Sequence, residues 1–468
     1  MNSAWWTEAQ AELRPLLAKL RVAVYASAGS PFHHAALIAQ WGGVPEMLGA
    51  AEIRGGALDA YDVLIVPGGG LNAMGGLLAP LGQPGAARIH AWVERGGLYL
   101  GSCAGAYLGG RLPEHFLTAN PAARDLKLLD VPMPNAGEGV LGGLDSPGVG
   151  VLEGRPTVPR HWLAHGLPER FEIVHYNGPC FLPIPGNLVS GAVTLAGLTE
   201  RFTPWERSLP GQVGGEVLTQ RLLEQGAQLA VSGPCGEGQV VLFGSHPEFG
   251  FSALQLGWGV AARLLGNALA QQTAQRGSTP GVPRLPVPDS AAVLPDIADA
   301  FARAGERFAV LQHHRLDLSG APAFQGRSAG ALWAVGLAEA AEVSASLAAY
   351  LHALAPLRPE VGQHYQWTDH EPDTGQDYGF VGLRQLARRV HELIDQAEAQ
   401  LGLPLPAQTF PYDAWERSPY HLLVSSYLSA AGVIASASLA ASTLGQLCGF
   451  AAPPPHPLTA PQPQGVLS

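Results

Sequence analysis

Cys103 is the residue with the most pointed chemical setting in the chain. It stands in Leu98-Tyr99-Leu100-Gly101-Ser102-Cys103-Ala104-Gly105-Ala106, an apolar run that breaks into Gly-x-Cys-x-Gly. This is the nucleophile-elbow pattern, in which a strand delivers a small nucleophile onto a sharp turn and a helix begins at once. Glycine on both sides suits the strain of the turn and the crowding around it. The free N–H groups and positive dipole end of that helix favour a thiolate, the reactive form of cysteine. A buried structural thiol is the competing reading, because free Cys is among the most buried residue types.

Two further segments could complete a site. Tyr61-Asp62-Val63-Leu64-Ile65-Val66-Pro67-Gly68-Gly69-Gly70 reads as a buried strand ending in a glycine loop. Without Cβ atoms, such a loop can turn backbone N–H groups toward a developing oxyanion. Far downstream, Gln239-Val240-Val241-Leu242-Phe243-Gly244-Ser245-His246-Pro247-Glu248 reads as another buried strand closing in His-x-Glu. His246 there can take the thiol proton, and Glu248 can fix the orientation and tautomer of the imidazole. Gly69 or Gly70, with Ala104, would supply the oxyanion donors.

The elements that must position these residues alternate in type. A strand at 21–25 precedes the turn Ser27-Ala28-Gly29-Ser30-Pro31, and His33 to Trp41 reads as a helix. The strand into Gly68, a helix near 86–94 and the strand into Cys103 follow. Later strands are expected at 171–176, 193–198, 227–231 and 239–244, with a closing helix over 251–272. Such alternation predicts an α/β fold with a mostly parallel sheet and helices on both faces. Ligands of such sheets bind at the carboxyl ends of the strands, where Gly68 and Cys103 fall.

With these motifs in place, the chain resembles the class I glutamine amidotransferase-like superfamily, most closely the N-terminal domain of biotin–protein ligases. The points of similarity are Val66-Pro67-Gly68-Gly69-Gly70, the stretch from Glu94 to Ala106, His175-Tyr176-Asn177-Gly178 and His246-Pro247-Glu248. The resemblance covers residues 20–270 and implies a flavodoxin-like sheet with a Cys-His-Glu triad of Cys103, His246 and Glu248. It also places Gly68, Gly69, Gly70, Ala104, Tyr107 and Asn177 at the oxyanion or substrate side. A plain turn is the alternative for Asn177-Gly178-Pro179. Ala106 and Tyr107 follow Gly105 where glutamine-hydrolysing members carry a Gly-x-Gln or Gly-x-His, and no Gly-Arg-Gly-Arg-type ligase signature occurs downstream. The elbow is also similar to the Ser-Ala-Gly-Ala elbow of certain serine dipeptidases. Three functions therefore stay open: an amidase-like cysteine hydrolase, a hydrolase of small peptides, and a non-catalytic binding or regulatory protein.

Composition narrows the partners. At 468 residues the chain exceeds one ordinary domain, and 47% hydrophobic with 14% charged residues is ample for a large core. A net charge of −11 with no basic run argues against nucleic acid or an anionic membrane surface. A small molecule or short peptide is the expected substrate, with no metal and no organic cofactor. Four scattered cysteines make no disulfide framework and no Cys-x-x-Cys zinc motif. Residues 1–20 include Glu8 and Glu12 and lack a signal-peptide pattern, so a cytoplasmic location is expected.

The organisation reads as an N-terminal helix over 1–20, the amidotransferase-like domain over 21–273 and a Pro/Gly-rich linker over 274–289. An all-α domain over 290–452 and a disordered Pro-rich tail over 453–468 complete it. Helices are expected near 291–308, 329–354, 383–401 and 421–450. The helical domain is the surface on which a protein partner or self-association would fall. His364, Asp369, His370, Glu371, Asp373 and Asp377 crowd one polar stretch but match no metal-ligand spacing, and read as an interhelical loop. Residues 422–450 lack charge and could span a bilayer by length. Their many Ser and Ala residues instead predict a helix buried within the protein.

Overall fold

A computed structural model describes residues 4–69, 73–135, 148–158, 160–204, 214–275, 293–318, 326–357, 382–403, 418–425 and 428–450, with a few isolated positions between them. Gly70, the Pro/Gly-rich segment 277–288, the acidic residues 370–377 and the tail 456–468 lie outside the described residues.

Five apolar runs pair in parallel: β1 (Val22–Tyr25), β2 (Pro45–Leu48), β3 (Val63–Val66), β4 (Leu98–Ser102) and β9 (Gly238–Phe243). Their order β2-β1-β3-β4-β9 is that of a flavodoxin-like sheet. Beyond β9 the sheet turns antiparallel through β8 (Gln228–Cys235), β7 (Ser190–Pro204), β5 (Gly148–Pro156) and β6 (Phe171–Tyr176), giving nine strands among the described residues. The sheet is thus mixed, and Cys103 and His246 both follow strands of its parallel half.

Side chains alternate between two cores, as a strand's period of two requires. Val22, Val24, Val63, Ile65, Leu98, Leu100, Val241 and Phe243 face one side. Ala23, Tyr25, Leu64, Val66, Tyr99, Val240 and Leu242 face the other. The first face is covered by α1 (Ala4–Leu17), α2 (Phe32–Gln40), α7 (Gly215–Glu224) and α8 (Arg263–Gln275). The second is covered by α3 (Ala50–Arg54), α4 (Ala73–Glu94), α5 (Ala104–Gly109) and α6 (Glu114–Ala119). Burial on both faces explains why β1, β3 and β4 read as continuous apolar runs.

The closing helix begins at Arg263, twelve residues later than the sequence suggests. Gly250, Gly257 and Gly259 interrupt the intervening segment, and Gln255 has φ 59°. Such a left-handed residue cannot continue a right-handed helix.

The region after residue 293 is helical, with α9 (Leu294–Leu311), α10 (Ala329–Leu354) and the helices Leu383–Glu398, Pro419–Leu423 and Ala430–Leu447. Its core is continuous with the first face of the sheet, and Ala430–Leu447 packs directly on α2. The uncharged stretch is two helices, because Ser429 caps the second by accepting from the Gly432 N–H at 3.3 Å. Two described helices, α10 and Ala430–Leu447, are long and apolar enough to cross a membrane, and 83% of the apolar window of the latter is buried inside the protein. Thr443 Oγ1 donates to the Leu439 carbonyl at 2.8 Å, the one-turn-back bond expected of hydroxyls in a packed helix.

Candidate active site

The elbow is built as its glycines require. β4 ends at Ser102, α5 begins at Ala104, and Cys103 between them has φ 49° and ψ −109°. A non-glycine residue in that region is strained, and such strain persists where surrounding structure holds it. Here the Cys103 N–H donates to the Phe243 carbonyl at 2.9 Å, and the Cys103 carbonyl accepts from Ala106 and Tyr107. A Cβ at Gly105 would collide with the Val66 carbonyl, and one at Gly101 would lie 2.6 Å from the Gly105 carbonyl. Glycine on both sides is therefore a packing requirement.

Gly68 brings the strand ends together. A Cβ there would lie 2.6 Å from Cys103 Cβ and 2.9 Å from His246 Cε1, so the Cys103 and His246 side chains meet beside it. Gly69, at φ 80°, continues the turn. His246 follows β9, and its N–H donates to the Val174 carbonyl at 2.7 Å. Its ring stacks on Phe249 at 4.2 Å with an interplanar angle of 1°. Nδ1 lies 2.7 Å from Glu248 Oε1, while Nε2 has no hydrogen-bond partner among the described residues. Trp258 Nε1 donates to the Glu248 carbonyl at 3.1 Å and stacks on Trp6, which ties this loop to α1.

The electrostatics oppose the two members of the pair. Burial works against a charge on His246, but the Glu248 carboxylate and the neighbouring Cys103 sulfur outweigh it and push the imidazole up to about 10. Burial pushes the Glu248 carboxyl up, and the imidazoles of His34 and His246 more than reverse it, to about 2. The Cys103 thiol rests as a donor to the Tyr176 carbonyl at 3.4 Å, and the residue is 8% exposed.

Tyr107 and Asn177 lie beside Cys103 but bond to each other. The buried Tyr107 hydroxyl donates to the Asn177 carbonyl at 3.3 Å and accepts from Asn135 Nδ2 at 2.8 Å. Asn135 also donates to the Gly178 carbonyl and accepts from the Cys180 N–H. Asn177 has φ 55°, the left-handed turn conformation that Asn tolerates, which shapes the loop between β6 and Cys180 beside Cys103. Tyr107 therefore acts as a strut for that loop. Cys180 is fully buried, and burial pushes its thiol up to about 12.

Three further imidazoles are buried here, of which only His175, within His175-Tyr176-Asn177-Gly178, stands out in the sequence. His33 and His34, at the start of α2, and His175, at the end of β6, are almost wholly buried. His34 Nε2 lies 2.9 Å from Ser102 Oγ, and His175 Nδ1 lies 3.1 Å from Ser245 Oγ. Burial lowers all three imidazoles, His33 and His175 to about 3, so they are neutral near pH 7. For His33 and His34 the only signal in the sequence is their adjacency just past the first strand. Among the described residues no group of three His, Cys, Asp or Glu side chains could hold a metal ion. A polar cavity of about 450 Å³ lies elsewhere, lined by Glu12, His161, His165 and Asn267 among others, and includes none of the triad residues.

Residues 59–123, which run from the approach to β3 through the glycine loop and elbow, match the family described as biotin-protein ligase, N terminal. No curated protein matches the chain by sequence. Similar solved structures include a cytoplasmic protein of Salmonella typhimurium, 15% identical, with a TM-score of 0.32 over 53% of this chain and 98% of that one. A ThuA-like protein of Bacteroides uniformis is 12% identical, with a TM-score of 0.32 over 55% of this chain and 93% of that one. One of Parabacteroides merdae is also 12% identical, with a TM-score of 0.31 over 56% and 92%. The strand order and the family match together define a flavodoxin-like α/β protein similar, over its elbow region, to the N-terminal domain of biotin–protein ligases.

Proposed function

We propose that the chain is a cysteine hydrolase of the glutamine amidotransferase type, acting on an amide or related acyl bond of a small molecule or short peptide. Cys103 Sγ attacks the carbonyl carbon as a thiolate, its proton already taken up by His246 Nε2, whose imidazole Glu248 and Cys103 hold up to about 10. The N–H groups of Gly69 and Ala104 face the resulting oxyanion, Ala104 because the first turn of a helix leaves its N–H groups without intrahelical acceptors. The C–N bond then breaks, and the proton on Nε2 goes to the leaving amine. Water, deprotonated by the same nitrogen, attacks the thioester and releases the acid and the free thiol. Glu248 holds Nδ1–H throughout and stabilises the imidazolium.

The observation that carries this reading is the pairing of His246 Nδ1 with Glu248 at 2.7 Å while Nε2, beside a strained Cys103, has no hydrogen-bond partner among the described residues. The test is to incubate the purified protein with glutamine and then with small peptides, following ammonia or amine release. The account expects release that Cys103→Ala abolishes. Activity that survives Cys103→Ala contradicts the mechanism.

A binding or regulatory role on the same scaffold is the second reading. It is favoured by the closed state of the nucleophile, whose thiol already donates to the Tyr176 carbonyl.

A further inference from the structure

α2 reaches the site from the far side of Glu248. His34 is fully buried, and its Nε2 lies 2.9 Å from Ser102 Oγ and 3.5 Å from Glu248 Oε2. Ser102 is the last residue of β4 and the immediate neighbour of Cys103. Glu248 Oε1 is engaged by His246, while Oε2 has no hydrogen-bond partner among the described residues and His34 Nε2 stands 3.5 Å from it. One imidazole thus touches the acid of the triad and the strand end that carries its nucleophile.

The tautomer follows from the surroundings. His34 is neutral, because burial outweighs the attraction of Glu248. A neutral ring carries one N–H, and a bare lone pair on Nε2 would face the carboxylate. The proton therefore sits on Nε2, within hydrogen-bond distance of Ser102 Oγ and with the charged Glu248 Oε2 3.5 Å away. Other titratable groups facing this cluster are His33, which packs edge-on against Phe249, and His246 itself, with His175 beyond it.

We infer that His34 is a positioning residue of the Cys103–His246–Glu248 system: its Nε2–H fixes the Glu248 carboxylate so that Oε1 meets His246 Nδ1, and it ties that carboxylate to the strand end bearing Cys103. The inference rests on the triad reading. Ordered partners of this kind set the orientation of a catalytic carboxylate, and their removal leaves the first contacts present but loose.

The test is the rate of Cys103 alkylation by iodoacetamide in the full chain, followed from about pH 5 to about pH 9. Four proteins are compared: wild type, His246→Ala, His34→Leu and His34→Gln. His34→Leu is expected to slow Cys103 labelling at pH 7 by roughly tenfold and to move the pH profile up by about one unit. His34→Gln, whose amide N–H can reach the same two oxygens, is expected to stay within about twofold of wild type, which simple loss of packing would not produce. If His34→Leu does not fold, His34→Asn carries the same expectation as Leu, being too short to reach Glu248. Labelling by His34→Leu or His34→Asn as fast as wild type, with an unmoved profile, overturns the inference. If His246→Ala also leaves the rate unchanged, the triad reading itself has failed. If only the His34 variants match wild type, the positioning role alone has failed.

Discussion

Nδ1 of His246 lies 2.7 Å from Oε1 of Glu248, with both side chains buried and only Pro247 between them in sequence. The His-Pro-Glu turn therefore builds its own imidazole–carboxylate pair, and the sheet needs only to carry it to the end of β4. In the folded state the imidazole is held up to about 10 and the carboxylate down to about 2.

Glu248→Gln keeps the shape of this contact and removes its charge. Burial would then dominate at His246, and its pKa should fall from about 10 toward or below the ordinary imidazole value. Labelling of Cys103 at pH 7 should slow by roughly tenfold or more. NMR titration of the His246 ring, alongside iodoacetamide kinetics, checks both statements. An imidazole still charged above pH 8 in the variant would show that Glu248 is not its stabilising partner.

Stability should fall as pH drops below the ordinary histidine range. His33 and His175 have folded-state values near 3, against 6.5 when exposed. Between those values the unfolded chain binds more protons, so each residue contributes stability that is present above pH 6.5 and lost toward pH 3. Each supplies a slope of about 1.4 kcal/mol per pH unit over that window. Glu248, depressed in the fold, adds a further loss below about pH 4.5. His175→Leu should flatten the slope by one histidine's share in urea denaturation performed at several pH values. An unchanged slope would mean that His175 is already protonated in the folded protein.

Gly68→Ala should damage stability and site together. The new methyl group would lie within 2.6 Å of Cys103 Cβ and 2.9 Å of His246 Cε1, so one of the two must move. A loss of about 1–3 kcal/mol is expected, with slower Cys103 labelling. Gly330→Ala is the control: it lies in α10, nothing stands within 4 Å of its added Cβ, and it should be neutral or slightly stabilising. Equal behaviour of the two variants in denaturation would contradict the close approach at Gly68.

Much of the site was legible because its strands are short, apolar and covered on both faces. Val63–Val66, Leu98–Ser102 and Gly238–Phe243 stand out as uninterrupted runs, and each ends in a glycine or at the elbow. α10 runs from Ala329 to Leu354, the span its composition suggests. β5 was hidden because Gly148 and Gly150, at φ 140° and 137°, make a strand that reads as a turn. β2 is four residues long and opens on proline, too brief for its alternation to register. His34 was hidden for another reason. It reaches Glu248 across more than two hundred residues of sequence, through a contact that exists only once α2 lies on the sheet beside β4 and β9. Local patterns carry strands and turns, but not which buried histidine meets which carboxylate.

The most direct measurement of the central claim is the labelling rate of each cysteine by iodoacetamide at pH 7, resolved by mass spectrometry in the wild-type and His246→Ala chains. Burial pushes the thiols of Cys180 and Cys448 up to about 12, and that of Cys235 is also raised, first by burial and then by Glu94. Among the described residues, Cys103 is the cysteine with an imidazole beside it. The account predicts that Cys103 labels at least roughly tenfold faster than any other cysteine, and that His246→Ala erases the difference. Equally slow labelling of all four cysteines, or a Cys103 rate indifferent to His246, would contradict it.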